Sequence, residues 1–461
     1  MRVRRAIYII LFSILIWSGQ TAGQPPYDLR PIAEFEHQEG IIIGWYGPGM
    51  FGAAGDTMFA RVVDEVQDVA VAYVALRQQS SVAPVSNFLT SLGIPLSNVE
   101  FMVTSSLFSV WVRDFGPEFV LRESGERLIV EGGHAPEFPA YLATEWSIGH
   151  YHVPLYMDGG NFMTDGAREV AVSGRYIYDP NGWQTTIRNY YDLPLHIVPP
   201  LLNEPCGHID MYARFVAHDK VVISEYANPA YNENMDLAAD QFLARGYEVF
   251  RVPTPAVTRA PIPKRALENP RLLHLPPGAP IPTGGNRSVY RTYTNGIQVN
   301  GKYLLPVYGH AFDSQAQAIY QSALPDHEIV PINCSCIIPY GGAMHCTSSD
   351  VQPAGPARPE IVTISPVAGH AVLTWSSVEG AVLYDVYRLE SSCGFEIGLD
   401  DYVASIGDTT WMDPDGLSDS TIQAYHIACV NSEGSRSIFT PRWGYLQFVN
   451  ERFRISHRGF P

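Results

Sequence analysis

Basic residues are scarce in this chain: 30 lysines and arginines stand against 47 aspartates and glutamates, a net charge of −17. That deficit excludes a nucleic-acid binder relying on a basic footprint. The summed field favours a cationic small molecule or peptide instead. Cysteine is thin as well, six in 461 residues, which excludes a disulfide scaffold. Charged residues reach 17% against 46% apolar, an ordinary globular balance that excludes disorder on composition. A long hydrophobic run is also lacking: Ala6 to Trp17, twelve residues, falls short of the ~20 that span a bilayer. With the basic Met1-Arg2-Val3-Arg4-Arg5 before it and Thr21-Ala22-Gly23 after, it reads as a secretory signal peptide cut after Gly23. No lipobox cysteine lies near that cut. The mature product is expected to be soluble, exported and free of the membrane.

The length allows roughly three domains. Residues 24–350 read as one α/β region, 351–359 (VQPAGPARP) as a linker, and 360–445 as short strands between turns, with a tail over 446–461. Within the first region a ββαβ unit recurs. Ala213–Ile223 forms a hairpin at His218-Asp219, followed by a helix over Met235–Arg245 and a strand over Tyr247–Val252. The order returns as a hairpin over Gly296–Val307 turning on Asn300-Gly301, a helix over Phe312–Leu324 and a strand over His327–Ile332. Pro117–Val130 opens another unit, and Asn87–Leu92, Gly93 and Val99–Val103 repeat the helix–strand half. Repeats of this kind pack around an axis, each burying a face on its neighbour. Polar residues stand before each hairpin: Arg113-Asp114, His208 with Asp210, and Asn295. Pseudo-symmetry would gather them at one end of the axis.

The motifs carry the chemistry. Trp111-Val-Arg113-Asp114-Phe-Gly-Pro117 sets a charged pair after an apolar strand. Asp158-Gly-Gly160-Asn161, followed by Asp165-Gly166, is Gly-rich without the lysine of a phosphate loop, and its glycines are expected to adopt positive φ. Cys206-Gly-His208-Ile-Asp210 places a histidine and a carboxylate on one side of an extended strand, suited to acid–base work or to a plain structural role. Gly341-Gly-Ala-Met-His-Cys346 ends on a thiol, a candidate nucleophile or a small buried hydrophobe. The cysteine and histidine spacings match no standard zinc pattern. No metal or cofactor is expected.

Together with Ala33-Glu-Phe-Glu-His-Gln-Glu-Gly40 and Thr292-Tyr-Thr-Asn-Gly296, these motifs resemble the agmatine deiminase and bacterial (Porphyromonas-type) peptidylarginine deiminase family over roughly residues 31–350. The resemblance implies a five-bladed pseudo-symmetric α/β propeller of pentein type. It implies Cys346 as the nucleophile on a guanidinium carbon, His208 as acid and then base, and Asp114 and Asp210 as the guanidinium clamp. Asn295 matches the family's polar residue near the nucleophile, and Arg113, Trp111, Gly160 and Asn161 join the expected substrate contacts. Residues 360–445 resemble a fibronectin type III sandwich through Leu373-Thr-Trp375, Tyr384-Asp-Val-Tyr387 and Tyr425 with Asn431-Ser-Glu-Gly434. Leu417 lies farther before Tyr425 than that pattern usually has. Cys393 and Cys429 are candidates for a bridge there or for two free thiols.

The substrate expected is an arginine-containing peptide or protein, with free agmatine as the alternative; nothing in the sequence identifies a partner for the sandwich. Export and the appended sandwich favour the peptide. No Arg or Lys occurs from Leu128 to Ala167 to hold a terminal carboxylate, so internal arginines are favoured. The Pro-rich stretch from Pro253 to Pro282 reads either as a rim shaping access to the pocket or as a solvated loop. Rival classes are an amidinotransferase, a non-catalytic binding protein and, last, a cysteine protease.

Overall fold

The computed structural model describes residues 29–275, 278–391, 401–416, 422–440, 445–449 and 452–456. The expected signal peptide, and Cys393 of the expected bridge, lie outside them. Five sheets share one plan, an antiparallel hairpin whose second strand pairs in parallel with a strand returned by a helix. The middle strands are near-continuous apolar runs such as Gly40–Gly44 (GIIIG), wholly buried, as strands covered on both faces must be. The helices cover them with one apolar stripe. In Ala53–Gln67 that stripe is Met58, Phe59, Val62, Val63 and Val66.

In chain order the hairpins are Glu118–Leu121 with Arg127–Glu131, Met163–Thr164 with Val170–Ser173, Ala213–Ala217 with Lys220–Tyr226, and Ile297–Val299 with Lys302–Val307. The fifth joins the two ends of the ring: Ser348–Val351 pairs antiparallel with Gly40–Gly44, Ser348 opposite Ile43. The Asn300-Gly301 turn has positive φ at both residues (37° and 83°), the backbone a two-residue hairpin loop requires. The Asn300 amide then accepts from Gln38 N and donates to Gln38 O and Val69 O, latching the fourth blade to the fifth. One expectation is corrected. Val82–Ser91 and Val99–Val103 do not form half of a separate blade but append a fourth strand to the fifth sheet, beyond Val71–Leu76.

Each blade is entered through a tight turn. Val112–Asp114, Gly159–Asn161, Ile209–Met211 and His345–Thr347 are 3-10 turns just before a blade's first strand, and Asn295 holds the same place before Ile297. His208 and Asp210 therefore do not share one extended strand: His208 is the extended residue before a 3-10 turn and Asp210 lies inside it.

Residues after the ring form a three-stranded and a five-stranded antiparallel sheet around Leu373, Trp375, Tyr384 and Tyr425. The larger sheet takes in Tyr445–Val449 and Arg452–Ser456, beyond the end expected at 445. The Pro-rich connection is packed rather than free. Gly355 N donates to Gly125 O, and the Cys429 thiol donates to Ala357 O. At the seam Arg436 pairs with Asp385 and touches His218, while its carbonyl accepts from Arg30 at 2.9 Å.

Candidate active site

The entry turns converge at one end of the ring, and four of the expected residues meet there, all buried: Asp114, His208, Asp210 and Cys346. The Cys346 sulfur lies 3.7 Å from Asp210 Oδ2 and 3.2 Å from Asn295 Nδ2. Asn295 fixes the nucleophile loop from both ends of its amide. Its oxygen accepts from Ala343 N at 3.0 Å and Cys346 N at 3.3 Å, and its nitrogen donates to Asp210 Oδ2 at 2.9 Å. Gly342 leaves room for the thiol, since a Cβ there would stand 2.6 Å from the sulfur. Burial, reinforced by the Asp210 carboxylate, pushes the Cys346 thiol up to about 12, with His274 opposing. The resting nucleophile is thus a protonated thiol.

His208 faces two carboxylates. Its Nε2 is 3.4 Å from Asp158 Oδ2 and its Nδ1 is 3.8 Å from Asp114 Oδ1. Burial alone would depress it, but the Asp158 hydrogen bond and both negative charges outweigh that and raise it to about 9. It is an imidazolium at neutral pH. Asp158 is itself held by His134 at 3.0 Å. For Asp210, burial is overcome by the His345 imidazole at 2.8 Å, which keeps the carboxyl below its usual range. His345 passes on to Glu34 at 2.9 Å, and Glu34 also meets Arg113 and Arg214, each at 2.8 Å. Two buried polar atoms of the cluster, Asp210 Oδ1 and His208 Nδ1, have no hydrogen-bond partner. They are the free valences of the site.

Two expected substrate contacts are corrected. Arg113 turns away from Asp114 and is locked between Glu34 and Asp350 at 2.8 Å each, because neighbours in a three-residue turn point about 120° apart. Asn161 turns away from Gly160 for the same reason, and its amide accepts from Ser173 N at 2.8 Å. Of the glycines in that stretch Gly166 has the expected positive φ (72°), whereas Gly159 and Gly160 do not and supply clearance instead. A Cβ at Gly159 would stand 2.3 Å from Arg113 O, and one at Gly160 2.5 Å from His208 Nδ1. Gly160 does belong to the site, through contact with His208. Trp111 also lines it, 4.8 Å from the ring of His274 in a stacked arrangement.

Sequence reasoning passed over Glu34, Asp158 and His345, which lie inside its own motifs, and His274, which lies in the Pro-rich stretch. His274 is buried, and its Nε2 stands 2.9 and 3.1 Å from the two oxygens of Asp114. The signal was a histidine within the apolar Leu272-Leu273-His274-Leu275, out of place in a solvated loop. Asp114, His208 and His274 also bring three metal-ligating atoms together, as do Glu34, His345 and Asp350. Every histidine in them already has a carboxylate within hydrogen-bond or ion-pair reach.

Residues 200–353 match the profile of the Porphyromonas-type peptidyl-arginine deiminase family. A Shewanella sp. (strain W3-18-1) protein, provisionally assigned as an agmatine deiminase, is 22% identical over 362 residues, covering 70% of this chain and 94% of its own. Among solved structures, the agmatine deiminase of Enterococcus faecalis is similar at a TM-score of 0.58 and 19% identity, over 71% of this chain and 96% of its own. A provisionally assigned arginine deiminase from Porphyromonas gingivalis gives 0.55 at 17% identity, over 71% and 99%. Fold and site define a pentein-type propeller enzyme, a hydrolase acting on guanidino C–N bonds. More narrowly, the profile match lies over residues 200–353, and the curated relatives matched are provisionally assigned agmatine deiminases.

Proposed function

We propose that the protein is an exported deiminase that converts arginine within peptides or proteins to citrulline and ammonia. The observation that carries this reading is the pair of partnerless buried atoms, Asp210 Oδ1 and His208 Nδ1, beside a thiol in a field of carboxylates. A planar cation satisfies the acceptor and lowers the cost of forming the thiolate it faces. Once the cation is seated the Cys346 thiol gives its proton up to solvent, the thiolate adds to the guanidinium carbon, and His208 gives its own proton to the departing nitrogen, which leaves as ammonia. The amidino-cysteine that remains takes up water, whose proton passes to His208. The S–C bond then breaks, releasing the ureido product and restoring the thiol.

Export rests on the basic–apolar–small pattern of residues 1–23. The sandwich favours a peptide or protein substrate, and the run without Arg or Lys from Leu128 to Ala167 favours internal arginines over terminal ones. The test is ammonia release from agmatine, free arginine and matched peptides with internal or terminal arginine. Wild-type protein is expected to prefer the internal peptide, and Cys346→Ala to release nothing while remaining folded. Ammonia from that variant, or a clear terminal preference, would reject the corresponding part of the reading.

A further inference from the structure

The Pro-rich stretch does more than frame the pocket. It forms an arm of two antiparallel strands, Thr258–Pro261 and Asn286–Val289, which lowers Leu272, Leu273 and His274 into the core. The His274 ring lies near parallel to Trp111, with 20° between planes, and edge-on to His208 at 5.3 Å. Its Nε2 faces both oxygens of Asp114 and its Nδ1 faces Gly341 O at 3.1 Å. Both neighbours are acceptors, so both ring nitrogens donate and the ring is an imidazolium. A flat cation stacked on an indole and hydrogen-bonded to a carboxylate has the features of a bound guanidinium.

We infer that His274 occupies the guanidinium seat on Asp114 in the resting enzyme and selects against small guanidines, which must displace it without help from contacts elsewhere. This rests on the deiminase reading and deepens it. Agmatine offers little beyond its guanidinium and a short amine. A peptide also covers the rim, where Phe108 and Tyr156 stand about half exposed around His134, the residue that holds Asp158. Binding energy from such remote contacts is what an ejected internal ligand requires.

The experiment compares agmatine with an internal-arginine peptide on wild-type protein, His274→Ala and His274→Gln. The glutamine variant keeps a planar amide without the charge and serves if the alanine variant unfolds. For agmatine, kcat/KM is expected to rise about tenfold or more, through KM rather than kcat, and for the peptide by less, so selectivity falls. A drop in kcat in a folded variant, or an unchanged selectivity ratio, overturns the inference. Calorimetric binding of agmatine to Cys346→Ala, with and without His274→Ala, separates the two claims. Tighter binding to the double variant upholds the seat even if no guanidine is turned over, whereas equal binding refutes it even if deimination is confirmed.

Discussion

Replacing Gly160 with alanine tests whether His208 is held where catalysis requires it. Gly160 has no positive φ, so the added methyl strains no backbone, and the unfolded chain loses entropy worth about 0.4–1 kcal/mol in favour of folding. The entire penalty falls on the ring. The new Cβ would stand 2.5 Å from His208 Nδ1, 3.2 Å from Cγ and 3.3 Å from Asp210 Oδ2. Carbon contacts are comfortable near ~3.5–4.0 Å, so the imidazole must retreat by about 1 Å. His208 has little room for that, with Asp158 on one edge and His274 on another. Overpacking of this size costs about 1–3 kcal/mol of stability, partly offset by the entropy gain. A displacement of about 1 Å in a catalytic group costs about a hundredfold in rate. Gly160→Ala is therefore expected to lose about two orders of magnitude in kcat for ammonia release while its melting temperature shifts by only a few degrees. If the folded variant keeps kcat within threefold of wild type, the argument that this glycine exists to admit His208 is wrong.

Two further outcomes follow from the charges. The folded-state pKa of His208 is raised to about 9 from an ordinary value near 6.5, so its contribution to stability is full below about 6.5 and is lost as pH rises through 9. At ~1.4 kcal/mol per unit this is on the order of 3 kcal/mol. Urea unfolding at pH 6.5 and 9.5 should show that loss in wild type and a flatter dependence in Asp158→Asn; equal slopes would contradict the assigned partner. Arg113→Met removes the cation shared by Glu34 and Asp350, leaving Glu34 to Arg214 and His345, and breaking such a buried pair costs about 3–5 kcal/mol. The surviving folded fraction is expected to keep its KM, since Arg113 does not face the pocket; a KM raised tenfold would restore Arg113 as a substrate contact.

The blades were legible because their hairpins, helices and returning strands differ in hydrophobic period, and Asn300-Gly301 marks one turn outright. The thiol, histidine, acids and amide of the site were legible because each stands at a blade entrance. Their neighbours were misread where a motif was treated as a unit. Arg113 beside Asp114 and Asn161 beside Gly160 share a three-residue turn, and adjacent side chains on such a turn leave in different directions. The remaining contacts depend on closure of the ring. Glu34 meets a histidine 311 positions later, and Asp114 meets one 160 positions later. Local pattern does not encode which arm folds over which entrance.

The two acids of the clamp differ in the resting enzyme, and that difference orders the events of binding. Asp210 has one oxygen occupied by His345 and Asn295 and the other bare, whereas both oxygens of Asp114 face His274. An arriving guanidinium therefore meets Asp210 first and gains Asp114 only as His274 withdraws. The thiol, held near 12 by burial and by Asp210, stays protonated until a cation neutralises that carboxylate. His274 opposes this rise, so its departure removes one stabiliser of the thiolate as the substrate supplies another. Reactivity is thus handed from an internal cation to an external one. The nucleophile is then most reactive when the group it attacks is in place.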